Sequence, residues 1–413
     1  SSELLQILEE RSKNAEAFAL LEPLESERAG DRDYDLLFGI AAIEVGQATR
    51  AVFALERVLA LDPNNVRARA EIARAYLALG ETETAKQEFE TVKKQGVPAD
   101  VSQTLDRYIA AAGRIEDSRT TSITGYVEAA VGYDTNVNVG PNKSTVAIPG
   151  FGGLPFTLAD NSKANADWFT SLGGGLNIRT PISPGLNLLA GLSGTQRFNF
   201  AREQFDMTSG DANIGVSTTQ GSDVYSVMAD AGVVSVEGDR YRNVVGFAGQ
   251  WQRNLDARNQ VSVFAKYSNL HYRGQDSRDA DRWMLGGTYA HVFRDGVVGF
   301  AQGYVVNERP QLATAPWLGF MGAGFRVGGR MNYDPQTVLF GTVAYEVRRH
   351  DVSDPSFLVT RRDNQYGLIL GATHNLSKDW SVTPQLTLTR NDSNTELNEY
   401  HREMFSVTIR REF

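Results

Sequence analysis

The residues best spaced to do chemistry lie in one short run, Gly132-Tyr-Asp134-Thr-Asn136-Val-Asn138-Val-Gly140. After Tyr133 come three alternating oxygen-bearing side chains, Asp134, Asn136 and Asn138, which share one face if the segment is extended. Such oxygens suit two tasks: a loose Ca²⁺ site, or hydrogen bonds that shape a pore or its plug. The glycine falls one place late for a helix–loop–helix calcium loop, and the closing Glu is missing. That favours the hydrogen-bonding reading.

Little else invites catalysis. The five histidines, His271, His291, His350, His374 and His401, form neither an HExxH nor an i, i+4 pair. There is no cysteine, so thiolate chemistry, disulfides and Cys-ligated metals are excluded. No GxSxG or Walker sequence occurs. The run from Gly322 through Gly324 to Gly328 is a near miss to a dinucleotide fingerprint, one residue too long and set within a strand pattern. It predicts close packing on a sheet wall. The sequence therefore predicts no enzyme, no cofactor and no resident metal.

The surrounding elements position these residues. The 413 residues carry a net charge of −9, which argues against a surface that binds nucleic acid. No run of 18 apolar residues predicts a transmembrane helix. No apolar leader opens the sequence, which starts at Ser1 as a trimmed chain would. Near residue 117 the chain changes character. Ala, Leu and Glu give way to Gly, Thr, Val, Asn and Tyr, helix formers to strand formers. The boundary falls within 114–121, giving domains 1–116 and 117–413.

The first domain holds a 34-residue repeat. Gly46 answers Gly80, Ala51 answers Ala85, Phe38 answers Ile72, Leu55 answers Phe89, and Val58 answers Val92. That period is the tetratricopeptide signature of two antiparallel helices per unit. Helices are predicted over 34–45, 49–61, 65–79 and 81–94, with a leading helix over 2–21 and a capping helix over 101–112. Two repeats alone are marginal, so the flanking helices are needed. Such arrays bind polypeptide on a concave face; the bland alternative is a spacer.

From Ile123 onward, runs of about 10–14 residues alternate apolar and polar side chains. Fourteen strands are predicted: 122–139, 165–180, 186–200, 204–218, 223–237, 241–253, 260–273, 281–294, 297–308, 318–333, 337–350, 363–375, 380–391 and 400–413. Short and long connections alternate. An even strand count with that alternation describes a bacterial outer-membrane barrel, because a sheet in lipid must close to pair its edges. The fold class is thus α plus transmembrane β: a periplasmic tetratricopeptide helical domain followed by a 14-stranded antiparallel outer-membrane β-barrel. Short turns face the periplasm, and the loop 140–164 faces outside. Its Ile148, Phe151, Leu154, Pro155 and Phe156 predict that it packs into the barrel mouth or meets a partner. Tyr133, Trp168, Trp251, Tyr289, Tyr333, Tyr345 and Trp380 suit interfacial girdles.

Strand parity turns Glu128, Asp134, Arg179, Arg197, Asp230, Lys266, Arg326, Arg330, Glu346, Arg348 and Arg410 toward the lumen. They form either an ion-pair lattice that stiffens the barrel or a path favouring anions. Phe405, Val407, Ile409 and Phe413 resemble the C-terminal signal read by the barrel-insertion machinery.

The repeat segment Ala54-Leu-Glu-Arg-Val-Leu-Ala-Leu-Asp-Pro-Asn-Asn65, with Ala73-Arg-Ala-Tyr76, Gly80 and Gln87-Glu-Phe89, is followed by Tyr133-Asp-Thr-Asn-Val-Asn138 and a barrel of this size. The combination resembles the surface lipoprotein assembly modifiers, whose motif is of the YDSNVN type; here Thr135 replaces Ser. The resemblance covers about residues 30–413. It implies translocation of a lipoprotein or secreted protein to the surface of a Gram-negative cell, with the repeats receiving cargo or a periplasmic chaperone. It also implies contact with outer-membrane lipid. The helical appendage and irregular outer loops favour a monomer. Two other readings remain: a porin-like channel or surface anchor for extracellular material, and an exopolysaccharide exporter. Such exporters generally carry more repeats and sixteen or eighteen strands.

Overall fold

The computed structural model describes residues 13–413, so the first part of the expected leading helix, residues 2–12, lies outside them. The chain divides into two compact units between Thr121 and Ser122.

In the first unit, helices Arg32–Glu44, Ala48–Leu61, Val66–Leu79 and Thr82–Lys94 form the two repeats, and Ala99–Arg119 caps them. The Asp31 carboxylate accepts the N–H groups of Asp33 and Tyr34, and the Asn65 side chain accepts that of Ala68 at 2.9 Å. Both are N-caps that satisfy otherwise orphaned donors. Gly46 and Gly80, one repeat apart, both sit at φ +79°, which lets the chain leave each first helix in a left-handed turn. Large residues alternate with alanines in the core: Phe38, Leu55, Val58 and Ile72 against Ala42, Ala51 and Ala75. A second cluster joins Ala73, Ala85, Phe89 and Val92 to Leu105 of the capping helix.

That capping helix is longer than the sequence suggests. It runs through Gly113 to Arg119, so the units meet at 121/122 and not at 116/117. Its last turns are tied back to the second repeat. Arg119 donates to the Gly80 carbonyl at 2.7 Å, and Thr82 donates its hydroxyl to Glu116.

In the second unit the strands are β1 (Ser122–Asp134), β2 (Thr145–Ala147), β3 (Pro155–Thr157), β4 (Asp167–Ser183), β5 (Leu186–Asn199), β6 (Met207–Gln220), β7 (Asp223–Val236), β8 (Asp239–Asn254), β9 (Asn259–Tyr272), β10 (Ala280–Arg294), β11 (Val297–Pro310), β12 (Phe320–Asn332), β13 (Thr337–Ser353), β14 (Thr360–Asn375), β15 (Trp380–Ser393) and β16 (Tyr400–Glu412). Strands β2 and β3 pair only with each other; the other fourteen close an antiparallel barrel in which β1 joins β4 and β16. Tight turns at Gly185 and Gly296, with φ of +76° and +77°, use the left-handed conformation open to glycine.

Polarity is inverted relative to a water-soluble fold. Ile123, Val127 and Val131 on β1, Leu172 and Leu176 on β4, and Trp283 and Leu285 on β10 are all exposed. They recur with the strand period of two, so one face of the sheet is continuously apolar. Lipid is the solvent that this face fits. No helix among the described residues is long and apolar enough to cross a membrane; the strands do the crossing.

The inner face explains four of the 39 glycines. Four glycines stand directly opposite an aromatic residue in the register: Gly175 and Tyr126, Gly286 and Phe264, Gly324 and Tyr304, Gly371 and Phe340. A Cβ on any of them would come within 2.6 Å of the facing ring. Each ring therefore lies across its glycine instead of standing into the lumen. Gly324 belongs to the near-miss dinucleotide run, which is wall packing as its strand setting predicts.

Candidate functional site

Strand β1 ends at Asp134, earlier than the sequence suggests. Asn136 and Asn138 therefore lie beyond the strand, and the shared strand face expected for all three side chains does not form. The cause is local. Asn136 donates its amide to the Gly140 carbonyl at 2.8 Å and accepts the Gly140 N–H at 2.8 Å. This ring of side chain to backbone bonds competes with the ladder and turns the chain away.

Asp134 is fully buried and sits where three strands meet. Arg402 of β16 reaches it with Nη2 at 2.5 Å and Nε at 3.0 Å. Arg197 of β5 reaches it with Nη2 at 2.8 Å, and the Asn136 N–H donates to it at 3.0 Å. β5 is not a neighbour of β1, so the contact requires side chains on the concave face of the barrel. Arg197 also lies 3.9 Å above the Phe169 ring. One carboxylate between two guanidinium groups thus pins the extracellular end of the closing seam. Thr135 adds two bonds across the same seam. Its N–H donates to the Glu403 carbonyl at 3.0 Å, and its hydroxyl accepts the Glu403 N–H at 2.8 Å.

Asn138 holds the other side of the loop. Its amide donates to the Asn161 and Lys163 carbonyls, and its oxygen accepts the Asn165 N–H at 3.0 Å. The three motif oxygens thus accept three different backbone N–H groups. Among the described residues, no cluster of three or more His, Asp or Glu is placed to hold a metal. The neighbouring Tyr133 faces outward and pairs with Trp168, ring centroids 5.3 Å apart.

The loop itself folds on the short hairpin β2–β3, with Val146 fully buried. It is fastened to two other outer loops. Gly150 donates to the Ser356 carbonyl at 2.6 Å, and Glu396 accepts from Lys143 at 2.6 Å and from the Ala147 N–H at 3.2 Å. Phe151, Leu154 and Phe156 do not pack into the mouth; they remain exposed.

The remaining lumen charges form local pairs. Arg410 donates to Glu128 at 2.8 Å and lies 4.1 Å over Tyr126. Lys266 of β9 reaches Asp230 of β7 at 3.1 Å, and Arg348 donates to Glu346 at 2.5 Å. Tyr304 also donates its hydroxyl to Glu346, while Arg326 sits over the Tyr304 ring. Arg179 donates to Asn187 at 3.2 Å. Arg330 is exposed and makes no ion pair among the described residues. Parity alone does not reveal Arg402, the principal partner of Asp134, which lies 268 residues away in sequence. On the outer face, Phe405, Ile409 and Phe413 are exposed and Val407 is half-buried. Phe413 pairs through its backbone with Gly125, at 2.7 and 2.9 Å, and its ring occupies the space a Cβ there would need.

No curated protein matches the chain in sequence. Among solved structures, it is similar to an anion-selective porin from Comamonas acidovorans, at 11% identity over 71% of this chain and 99% of that one, TM-score 0.40. It is also similar to the outer membrane channel DcaP of Acinetobacter baumannii, at 12% identity over 71% and 97%, TM-score 0.42. A third is the P. putida toluene transporter TodX, at 12% identity over 70% and 90%, TM-score 0.35. Residues 42–105 match the tetratricopeptide repeat, and residues 124–413 match the surface lipoprotein assembly modifier family. The chain belongs to that family, and is an outer-membrane transport protein, not an enzyme, that translocates lipoproteins to the cell surface.

Proposed function

We propose that the helical repeats receive the lipoprotein, or a chaperone carrying it, in the periplasm, and that the barrel conducts it outward as a monomer. One observation carries the first step. Leu37, Phe53 and Leu61 of the first repeat are 57%, 58% and 62% exposed, apolar surface on both helices of that repeat that a bound chain would cover. Tyr133, Asp134, Asn136 and Asn138 fix the seam and the outer loop, and the lumen-facing charges line the path. Phe405, Val407, Ile409 and Phe413 present the outward apolar face that the barrel-insertion machinery reads. The fourteen strands speak against the exopolysaccharide exporter, which calls for sixteen or eighteen.

The test is surface display. Deleting the gene should remove at least one lipoprotein from the protease-accessible pool while its total amount stays constant. Full-length Leu37→Glu/Phe53→Glu should insert normally yet leave that lipoprotein inside the cell. Unaltered display of every lipoprotein in the deletion strain overturns the reading. For a porin-like channel, the purified barrel would instead pass steady current, and trimming 140–164 would change it.

A further inference from the structure

A cavity of about 300 Å³ lies among Tyr272, Arg278, Arg282, Phe320, Arg348 and Arg361, toward the extracellular ends of β9 to β14. Four guanidinium groups border this one space, and among the described residues that line it Glu308 is the one carboxylate. In a chain of net charge −9, that concentration of cations stands out.

Each cation is held in place. Arg278 lies 4.4 Å over the Tyr272 ring and donates to the Tyr241 hydroxyl at 2.7 Å. Arg348 lies 5.3 Å over Phe320 and uses its Nε to reach Glu346. Arg282 donates its Nε to Glu308 at 2.7 Å. Arg361 meets Asp363 at 2.7 and 3.1 Å. Glu346 and Asp363 are not part of the lining, so they orient their arginines from behind. Among the described residues Arg278 has rings and neutral oxygens as partners and no ion pair. On each of the four, at least one Nη nitrogen has no hydrogen-bond partner among the described residues.

Guanidinium forks match the geometry of carboxylate and phosphate oxygens. Leu318 and the rings of Tyr272 and Phe320 supply apolar walls that strengthen such contacts. The geometry points to an oxyanion site inside the extracellular mouth of the barrel, in which Arg278, Arg282, Arg348 and Arg361 hold a phosphate or carboxylate group. The site does not depend on which molecule the barrel conducts.

Titration calorimetry on the full chain in neutral, phosphate-free detergent tests it, with inorganic phosphate, hexaglutamate and hexaglutamine as probes. Phosphate or hexaglutamate should bind and hexaglutamine should not. Phosphate alone assigns the site to free phosphate, and hexaglutamate, with or without phosphate, to acidic polypeptide. Arg278→Gln should weaken binding by about tenfold, the size of one charge-assisted hydrogen bond. Glu308→Gln, which removes the lining carboxylate, should tighten it severalfold. Heat-modifiable gel mobility checks that both variants fold. Silence with both anions, or equal affinity in the two folded variants, overturns the site.

Discussion

Two aspartates with no exposed surface, Asp35 in the helical unit and Asp134 in the barrel, solve the same problem in opposite surroundings. Asp35 accepts Arg57 at 2.6 and 3.0 Å and the Gly30 N–H at 2.9 Å. The Arg57 side chain is one-third exposed, so this pair stands at the edge of an apolar core. Asp134 instead holds two arginines at the inner wall of a barrel whose apolar residues point away from it. In the helical unit the hydrophobic effect gathers the core and the ion pair trims its margin. In the barrel, lipid takes the apolar face, and the charges become the interior. A carboxylate shared by two guanidinium groups is then a structural joint, because removing it strands two cations.

Substitutions can break or sharpen that comparison. Asp134→Ala should have the largest effect, about 5 kcal/mol, the upper end for breaking a buried pair. It is read as a lower temperature for loss of heat-modifiable mobility. Asp35→Ala should cost less, about 3 kcal/mol, because Arg57 can turn to water. Its readout is the helical circular-dichroism melt, with barrel mobility unchanged. If the two losses were equal, the contrast between shared and single partnership would fail. Asn136→Ala should cost about 2 kcal/mol by leaving the Gly140 N–H and carbonyl unpaired. Faster proteolysis within 140–164 would report it, at little cost to the barrel.

The smallest effect concerns the loop tether between Lys143 and Glu396. The hydrogen bond to Lys143 holds the Glu396 carboxyl below its ordinary 4.5, and the bond to Glu396 holds Lys143 above its ordinary 10.5. The Glu396 contribution is complete above 4.5 and is lost as pH falls through its lower folded value. The Lys143 contribution is complete below 10.5 and is lost as pH rises through its higher folded value. Protection from amide exchange in residues 143–147, taken relative to the intrinsic rate at each pH, should therefore be greatest between those two values. Lys143→Gln should flatten the dependence.

Much of the architecture could be read from residue patterns. The 34-residue echo of Phe38 in Ile72 and Leu55 in Phe89 marks the helix seams, because packing repeats with the helices. The period-two runs mark the fourteen strands, since one face of each must meet lipid. Ends were less legible. Val137 and Val139 continue the apolar alternation past Asp134, yet the side-chain bonds of Asn136 stop the strand. The pair β2–β3 has only three residues per strand, too few to show a period. Asp134 could be singled out by its neighbours in sequence, but Arg197 and Arg402 could not be matched to it. Only closure of the barrel brings them together, and closure has no local signature.

The rings laid across glycines give the barrel's inner wall a particular texture. Phe264 and Phe340 present broad planes with no donor or acceptor, whereas Arg410 and Arg326 lie over the rings of Tyr126 and Tyr304. A chain passing the two phenylalanine tiles would find few knobs to catch on there. Refilling Gly286 or Gly371 with a bulkier residue would lift the tile and roughen the passage, even if every hydrogen bond of the ladder survived.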